Sequence, residues 1–274
     1  MLFRSVMQCA ATAGLETSDR YVRSRALETH CMTSADLVVT LGEAMRDEIV
    51  ARGVPADKVI IVPNGVSQDF LQPLPDAGDL RARLGLKDDE HAVGVVSSLV
   101  AHEGLGTLLE AVRMLRDRGV AARALIVGDG PERGALERQA AELGLSDAIF
   151  TGRVPPSQVR SYHAVLDAFV VPRTPDRVCQ LVTPLKPVEA MASGLPVVVS
   201  DVRALGEIIT DDDTGLRFPP LDAGALADRL ERLLGDTPLR RALGENARAW
   251  VARDRTWERG AERYRDAYAR LGAM

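Results

Sequence analysis

One stretch of the chain, residues 173–200, contains several charged side chains whose chemistry and spacing could form a binding or catalytic site. Arg173 and Arg177 follow an apolar run, and Lys186 and Glu189 lie three positions apart in the helix that is predicted next. Residues three apart are neighbours on a helix surface. Guanidinium and ammonium groups suit a diphosphate, and a carboxylate suits sugar hydroxyls. The alternative for Lys186 and Glu189 is an ordinary ion pair on the surface.

The residues that flank this helix predict where it begins and ends. Thr183 has a hydroxyl that can cap a helix N-terminus, and Pro184 suits the first helical position. Gly194 is expected to end the helix, and Pro196 leads into the next strand. The sequence therefore predicts a helix over residues 184–193.

A glycine turn supplies a second candidate site. Gly128, Gly130 and Pro131 lie between an apolar run and a stretch with helical periodicity. A turn between a strand and a helix can offer backbone N–H groups to a phosphate. Position 133 is Arg, so the turn departs from the dinucleotide-binding fingerprint. The alternative is a tight turn whose glycines serve the backbone alone.

Short apolar runs alternate with helical stretches along most of the chain, and these elements must position the candidates. The predicted strands are 37–40, 59–62, 92–97, 123–127, 148–151, 168–171 and 196–200. The predicted helices include 43–52, 107–118, 132–143, 156–166, 184–193, 222–234 and 257–271. Nearly continuous apolar strands are typical of a parallel sheet that is covered on both faces. The alternation predicts an α/β fold with a doubly wound parallel sheet.

Such a sheet binds ligands at the carboxyl ends of its strands. The loops that follow four of the predicted strands should meet there, and they bring candidate side chains together. These are Ser97, Ser98, Gly128, Arg153, Arg173, Arg177, Lys186 and Glu189. We therefore predict one anion-binding crevice.

The composition excludes several classes of protein. Among 274 residues, 39 are acidic and 34 basic, a net charge of −5 that argues against a general nucleic-acid binder. The 3 cysteines form no C-x-x-C pair and the 4 histidines have no metal-ligand spacing, which predicts no disulfide framework and no metal site. No apolar run approaches the ~18 residues of a membrane span. We expect a cytoplasmic protein.

The chain divides at a proline- and glycine-containing segment, residues 72–78. Residues 1–72 contain two predicted strands, too few for an independent domain. Residues 73–255 are predicted to form a unit of six strands, ending near residue 217, followed by helices. Residues 256–274 are predicted to be a helix that packs back toward the N-terminal part. Its stripe of Trp257, Ala261, Tyr264 and Tyr268 is expected to lie on the core.

Several segments occur in an order that is typical of one enzyme family. They are residues 35–43, VPNGV at 62–66 followed by Phe70 and Pro73, VGDGP at 127–131, FTGRV at 150–154, PVEAMASGLPV at 187–197 and DDDTGLRF at 211–218. This ordered set resembles the retaining, nucleotide-sugar-dependent glycosyltransferases of the GT-B fold, family 4 (group 1). The resemblance implies a Rossmann-like donor domain at the C-terminal side and a partial N-terminal GT-B domain.

The resemblance also implies roles for individual residues. Glu189 matches the second glutamate of the family's E-x7-E motif and would hold the nucleotide ribose. The catalytic candidates are Glu189, Lys186 and Arg177. The nucleotide-sugar-binding candidates are Ser97, Ser98, Gly128, Gly130, Pro131, Arg153, Val154, Arg173, Thr183, Pro184, Leu185 and Glu189. The implied donor is a UDP- or GDP-linked sugar, with no metal or other cofactor, and the implied transfer retains configuration.

The sequence departs from the family pattern at three places. Leu181 replaces the first glutamate of E-x7-E, and Ser98 and Glu103 stand where the family commonly has Arg and Lys. The third departure is the short N-terminal part, which suggests a truncated chain. The alternatives are a nucleotide-sugar-binding remnant that is inactive alone, and a GT-B-like epimerase or phosphorylase. The acceptor could be a glycan, lipid or natural product. A partner chain or second copy could cover the N-terminal part. The inner membrane face is an alternative location.

Overall fold

The computed structural model describes residues 17–272, so the beginning of the predicted N-terminal unit and the last two residues lie outside the described part. In chain order the strands are β1 (Val38–Thr40), β2 (Val59–Ile61), β3 (His91–Val96), β4 (Ala122–Val127), β5 (Ile149–Gly152), β6 (Ala168–Val171), β7 (Val197–Ser200) and β8 (Leu216–Phe218). The α-helices are α1 (Asp19–Ser34), α2 (Glu43–Ala51), α3 (Gly78–Arg83), α4 (Leu105–Asp117), α5 (Arg133–Glu142), α6 (Val159–Val165), α7 (Arg177–Leu181), α8 (Lys186–Ala192), α9 (Arg203–Gly206), α10 (Ala223–Gly235), α11 (Thr237–Asp254) and α12 (Trp257–Gly272).

Six strands form one parallel sheet in the order β5-β4-β3-β6-β7-β8. The chain winds outward from β3 through β4 to β5, and then outward from β6 through β7 to β8. The direction of winding changes between β3 and β6, which makes this the switch point of the sheet. The prediction of a doubly wound parallel sheet with six strands is confirmed.

The central strands are buried along their length because helices cover both faces of the sheet. Strands β6 and β7 expose none of their residues, and a rich supply of valine suits this environment. Gly94 in β3 permits the neighbouring strand to approach, since a Cβ there would lie 1.8 Å from the carbonyl oxygen of Leu125. The register of β3 against β4 therefore depends on a glycine.

Helices α4, α8, α10 and α11 bury their apolar faces around this sheet. In α4 the buried residues include Leu108, Leu109, Val112 and Leu115, spaced as one helical face requires. Helix α10 packs on α4, and α11 packs on α8. Full burial of each such leucine stabilises the fold by about 1.5–3 kcal/mol.

The N-terminal part has a separate small core. Strands β1 and β2 pair in parallel, and Val59 of β2 forms a cluster with Ile49 and Val54. Helix α1 is attached to the end of α2 by Arg52, which forms an ion pair with the buried Glu28 (Nη1–Oε2 3.3 Å). This unit joins the larger one through the segment that contains Val66, whose side chain lies in the large core.

The structure corrects two local predictions at the start of a helix. Helix α8 begins at Lys186 with Leu185 at the N-cap position, so Thr183 is not its cap and Pro184 is not its first residue. Pro187 occupies the first turn instead, where a missing N–H costs no helical hydrogen bond. Helices α1, α3, α7, α9 and α11 were not among the predicted helices. Helix α1 buries only Tyr21 and Glu28, so it has almost no apolar stripe to detect.

The expectation for the aromatic stripe of α12 was wrong. Trp257 is 52% exposed and Tyr268 is 69% exposed, so neither ring packs on the core. The small residues Gly260 and Ala267 face the protein instead. The helix begins close to the backbone near Val66, whose carbonyl accepts from the N–H of Trp257 (3.3 Å). Small residues permit this close approach, and they turn the aromatic side chains outward.

Candidate functional site

The loops that follow β3 and β6 meet at the switch point of the sheet. Gly104 ends the loop after β3 with a φ of +65°, and a Cβ there would lie 2.0 Å from the carbonyl oxygen of Pro172. The carbonyl of His102 accepts from the backbone N–H of Thr174 (3.1 Å), which joins the two loops again. Ligands of doubly wound sheets bind at this place.

The loop after β4 packs on the loop after β3 through two glycines. A Cβ at Gly128 would lie 1.8 Å from the carbonyl oxygen of Ser97, and one at Gly130 would lie 2.2 Å from that of Leu99. The N–H of Gly128 donates to the carbonyl of Gly152 (2.9 Å), and the N–H of Gly130 donates to Oδ1 of Asp129 (2.8 Å). These glycines therefore have a structural role, which is the alternative that the sequence left open.

Lys186 and Ser97 are brought together although 89 positions separate them. The Lys186 ammonium donates to the Ser97 hydroxyl (Nζ–Oγ 2.7 Å). The side chain of Lys186 is 32% exposed, so the charge stays within reach of solvent. The predicted convergence of the loop after β3 with the start of α8 is present in the structure.

Arg173 lies in the wall of the crevice and not at its surface. Its side chain is buried, donating from Nη2 to Oε1 of Glu103 (3.0 Å) and from Nη1 to the carbonyl of Val182 (3.1 Å). Glu103 is also buried, and burial alone would raise the pKa of its carboxyl. The positive charges of Arg173 and Lys186 outweigh burial, so the pKa of Glu103 is lowered. The pair is therefore ionic.

Arg177 faces a different part of the molecule. It is the first residue of α7, and its guanidinium forms an ion pair with Glu48 of α2 (Nη2–Oε1 2.6 Å). The structure therefore separates Arg177, whose partner belongs to the N-terminal unit, from Arg173 and Lys186, which share Glu103 as a neighbour.

Glu189 is half-buried on α8, one turn after Lys186. Burial raises the pKa of its carboxyl, and the positive charge of Lys186 partly offsets this rise. A desolvated carboxylate gains most from hydrogen-bond donors such as hydroxyl groups. The predicted closeness of Lys186 and Glu189 is therefore electrostatically significant.

The remaining predicted residues divide between the rim and the wall. Ser98, Pro131 and Arg153 are exposed at the ends of their strands, and Val154 is half-buried. Thr183 and Pro184 are buried, and Leu185 is half-buried before α8. The exposed residues at the rim are accessible to a ligand. Thr183 and Pro184 are buried in the segment that precedes Lys186.

Glu207 connects the two units and was not among the candidates from the sequence. Its carboxylate accepts from the backbone N–H groups of Glu43 (2.9 Å) and Ala44 (2.6 Å), at the N-terminus of α2. A Cβ on Gly42 would lie 2.2 Å from this carboxylate. Glu207 therefore caps a helix of the N-terminal unit from the other unit. Only the glycine before α2 hinted at such a contact.

His102 and Cys179 lie behind the crevice wall. The His102 imidazole is buried, and burial lowers its pKa, while its Nε2 lies 3.9 Å from Oε1 of Glu103. The Cys179 thiol donates to the carbonyl of His102 (3.4 Å), and burial raises its pKa to about 11. The thiol is therefore protonated and serves packing.

Among residues 17–272, no group of three or more His, Cys, Asp or Glu side chains is arranged to hold a metal ion. Within the same residues, no helix is long and apolar enough to cross a membrane.

Known proteins match both units of this chain. Residues 76–250 match the family model described as glycosyl transferases group 1, and residues 5–65 match the model described as glycosyl transferase 4-like domain. The alpha-D-kanosaminyltransferase of Streptomyces kanamyceticus is 31% identical over 224 residues, which cover 80% of this chain and 56% of that protein. The GDP-mannose-dependent alpha-(1-6)-phosphatidylinositol monomannoside mannosyltransferase of Mycolicibacterium smegmatis is 32% identical over 232 residues, which cover 83% of this chain and 60% of that protein.

Solved structures share the fold. The sucrose-phosphate synthase of Thermosynechococcus elongatus superposes with a TM-score of 0.79 at 28% identity, covering 94% of this chain and 64% of that one. Anabaena HepE in complex with UDP and glucose superposes with a TM-score of 0.75 at 22% identity, covering 91% of this chain and 66% of that one. The chain thus spans between half and two thirds of the length of these relatives. Because the group 1 model matches well over half of its residues, the chain belongs to the GT-B glycosyl transferases of group 1.

Proposed function

We propose that this chain forms the donor side of a glycosyltransferase, which moves a sugar from a nucleoside-diphosphate sugar to an acceptor. Family membership supports the reaction class. A mannosyltransferase relative is named as GDP-mannose-dependent, and a neighbour of the same fold was solved with UDP and glucose. The observation that carries the proposal is the Lys186 ammonium, bound to Ser97 at the switch point and followed one turn later by Glu189.

In this proposal Lys186 acts on the leaving group. As the bond between sugar and diphosphate breaks, negative charge grows on the phosphate oxygens, and a fixed positive charge nearby lowers the energy of that transition state. Glu189 accepts hydrogen bonds from the ribose hydroxyls. Arg153 and Val154, which follow β5, are assigned to the base in this proposal. Retention of configuration belongs to the proposal because the resemblance of residues 187–197 implies it.

The cationic role is assigned unequally among the three candidates. Arg173 is held by Glu103 and Val182, and Arg177 is paired with Glu48. Arg177 would have to leave Glu48 to reach a phosphate, so it is the weaker catalytic candidate. Thr183, Pro184 and Leu185 shape the backbone before Lys186 and support the donor indirectly.

A second candidate function is binding of the nucleotide sugar without transfer by this chain alone. The exposed side chains of Trp257, Tyr264 and Tyr268 on α12 favour it, because large apolar groups left in water often serve as a contact surface. In that case a partner chain or a second copy would complete the enzyme. The acceptor, whether glycan, lipid or natural product, would then be bound partly by the partner.

The test is a thermal-shift series with UDP, GDP, ADP and TDP on the wild-type chain and Glu189→Gln. A ligand at a hundredfold excess over its Kd stabilises the folded state by about 2.7 kcal/mol. We expect one nucleotide to stabilise the wild type, and Glu189→Gln to weaken that binding by about 1–3 kcal/mol. Glu137→Gln, on the exposed face of α5, is the matched control. Absence of any shift with the wild type would remove the donor-site proposal.

A further inference from the structure

Glu103 occupies the centre of a charged cluster at the switch point. Its Oε1 lies 3.0 Å from Nη2 of Arg173 and 3.9 Å from Nζ of Lys186. The residue is 4% exposed, so water contributes little to stabilising its charge. Among the described residues, the cluster therefore has one buried carboxylate between two cations.

The two cations are held in different ways. Arg173 uses one nitrogen for Glu103 and another for the carbonyl of Val182, which ties the loop after β6 to the loop after β3 and to the segment before α8. Lys186 remains partly exposed and donates to Ser97. The Glu103 carboxylate therefore holds Arg173 in the wall of the crevice. The same carboxylate attracts the Lys186 ammonium, which is still accessible to a ligand.

We propose that Glu103 is a positioning residue for the donor site, which locks Arg173 in the crevice wall and holds the Lys186 ammonium in place. Its negative charge leaves the three-residue cluster with one net positive charge for the diphosphate. This limits the affinity for the nucleoside diphosphate that remains after transfer, and so favours its release. The inference rests on the proposed function for the identity of the ligand, and on the cluster geometry for the rest.

Glu103→Gln tests the charge of this residue while keeping its size. The amide oxygen can still accept from Arg173, but the cluster now has two net positive charges. We expect the dissociation constant for the bound nucleoside diphosphate, UDP or GDP, to fall by about fivefold at low salt, as one added charge at this range predicts. The matching nucleoside, uridine or guanosine, should bind as it does to the wild type. A merely structural role would weaken both ligands together.

A second measurement needs no nucleotide. The chain has three lysines, Lys58, Lys87 and Lys186, so amine labelling with acetic anhydride can be resolved by mass spectrometry of their peptides. A neighbouring carboxylate favours the charged ammonium, which does not react. In Glu103→Gln we expect labelling of Lys186 to rise by about threefold or more relative to the exposed Lys87. Glu110→Gln, on the exposed side of α4, is the control and should change neither readout.

The outcomes separate the inference from the proposed function. If the wild type binds none of UDP, GDP, ADP and TDP, the proposed function fails, and the labelling of Lys186 still decides whether Glu103 holds it. Unchanged labelling, or a loss of diphosphate and nucleoside affinity together, overturns the inference. If Glu103→Gln does not fold, Glu103→Asp replaces it, because it keeps the charge but withdraws it by one methylene. We then expect a smaller rise in Lys186 labelling, and no rise overturns the inference.

Discussion

Burial and neighbouring charges together set the charge states of the buried residues Glu103 and His163. Glu103 is buried but ionised, because Arg173 and Lys186 compensate for the lost water. His163 is buried between Phe70 and Phe169, and burial together with the charge of Arg160 lowers its pKa to about 4. Its Nδ1 lies 3.1 Å from the hydroxyl of Ser193. Similar burial therefore gives a charged carboxylate in one place and a neutral imidazole in another.

The neutral His163 predicts a pH dependence of stability. The unfolded imidazole titrates near pH 6.5, and the folded one at about pH 4. The stabilisation is complete above pH 6.5 and is lost as the pH falls toward 4, amounting to about 3 kcal/mol over this range. Urea unfolding at several pH values checks this.

Replacement of His163 isolates its share of the acid sensitivity. His163→Leu should be less stable than the wild type at pH 7, and its stability should fall less between pH 6.5 and 4.5. His30→Gln, at an exposed position of α1, is the control and should follow the wild-type curve. Parallel curves for the wild type and His163→Leu would contradict a buried neutral imidazole.

At the scale of elements, the sequence predicted the strands that are buried on both faces. It did not predict the features that depend on individual contacts between side chains. Continuous valine-rich runs predict buried strands, and every predicted strand is present within a residue or two. Helix α1 was not predicted because it buries only Tyr21 and Glu28, and the ion pair of Glu28 with Arg52 cannot be read from an apolar pattern. The wrong start of α8 arose because two prolines competed for its first turn. The sequence also did not predict which cation faces the crevice. Glu103 pairs with Arg173 because the two loops approach closely at Gly104, and this pairing keeps Arg173 in the wall.

The cap of α2 by Glu207 yields a prediction for two elements at once. Glu207→Ala leaves two backbone N–H groups without their acceptor, so it should cost about 1–2 kcal/mol of stability. Gly42→Ala should cost a similar amount, because its Cβ would collide with the same carboxylate. Equilibrium unfolding of both single variants and the double variant measures the coupling.

The double variant gives the sharper result. Once Glu207 is truncated, the nearer collision at Gly42 is relieved, and only the close approach of the new Cβ to Oγ1 of Thr183 (2.8 Å) is left. The second substitution should therefore cost less than it does alone. Ala51→Gly, at the exposed C-terminal end of α2 and away from the Glu207 cap, is a control that should add independently to Glu207→Ala in this cycle. Simple additivity of Gly42→Ala with Glu207→Ala would show that the two residues do not share the contact.

At the scale of the whole molecule, ion pairs and a helix cap make much of the interface between the two units, beside the apolar contacts of Met45 and Val66 with the large core. Helix α2 meets the larger unit through Arg177 with Glu48, Arg203 with Asp47, and the Glu207 cap. Surface ion pairs weaken with salt, since the Debye length falls from about 10 Å at 0.1 M to about 3 Å at 1 M. Apolar burial in the six-stranded sheet does not share this sensitivity.

This difference predicts that high salt destabilises the N-terminal unit and leaves the six-stranded sheet unchanged. Hydrogen exchange at 0.1 M and 1 M sodium chloride should show faster exchange in α2 and β1 at high salt, with β6 and β7 unchanged. The small core of Ile49, Val54 and Val59 has few apolar contacts to replace the screened charges. Arg203→Gln should reproduce part of the effect at low salt, whereas Arg241→Gln, in an exposed pair within α11, should not. Equal exchange in α2 at both salt concentrations would mean that its attachment is apolar, and that the two units behave as one cooperative body.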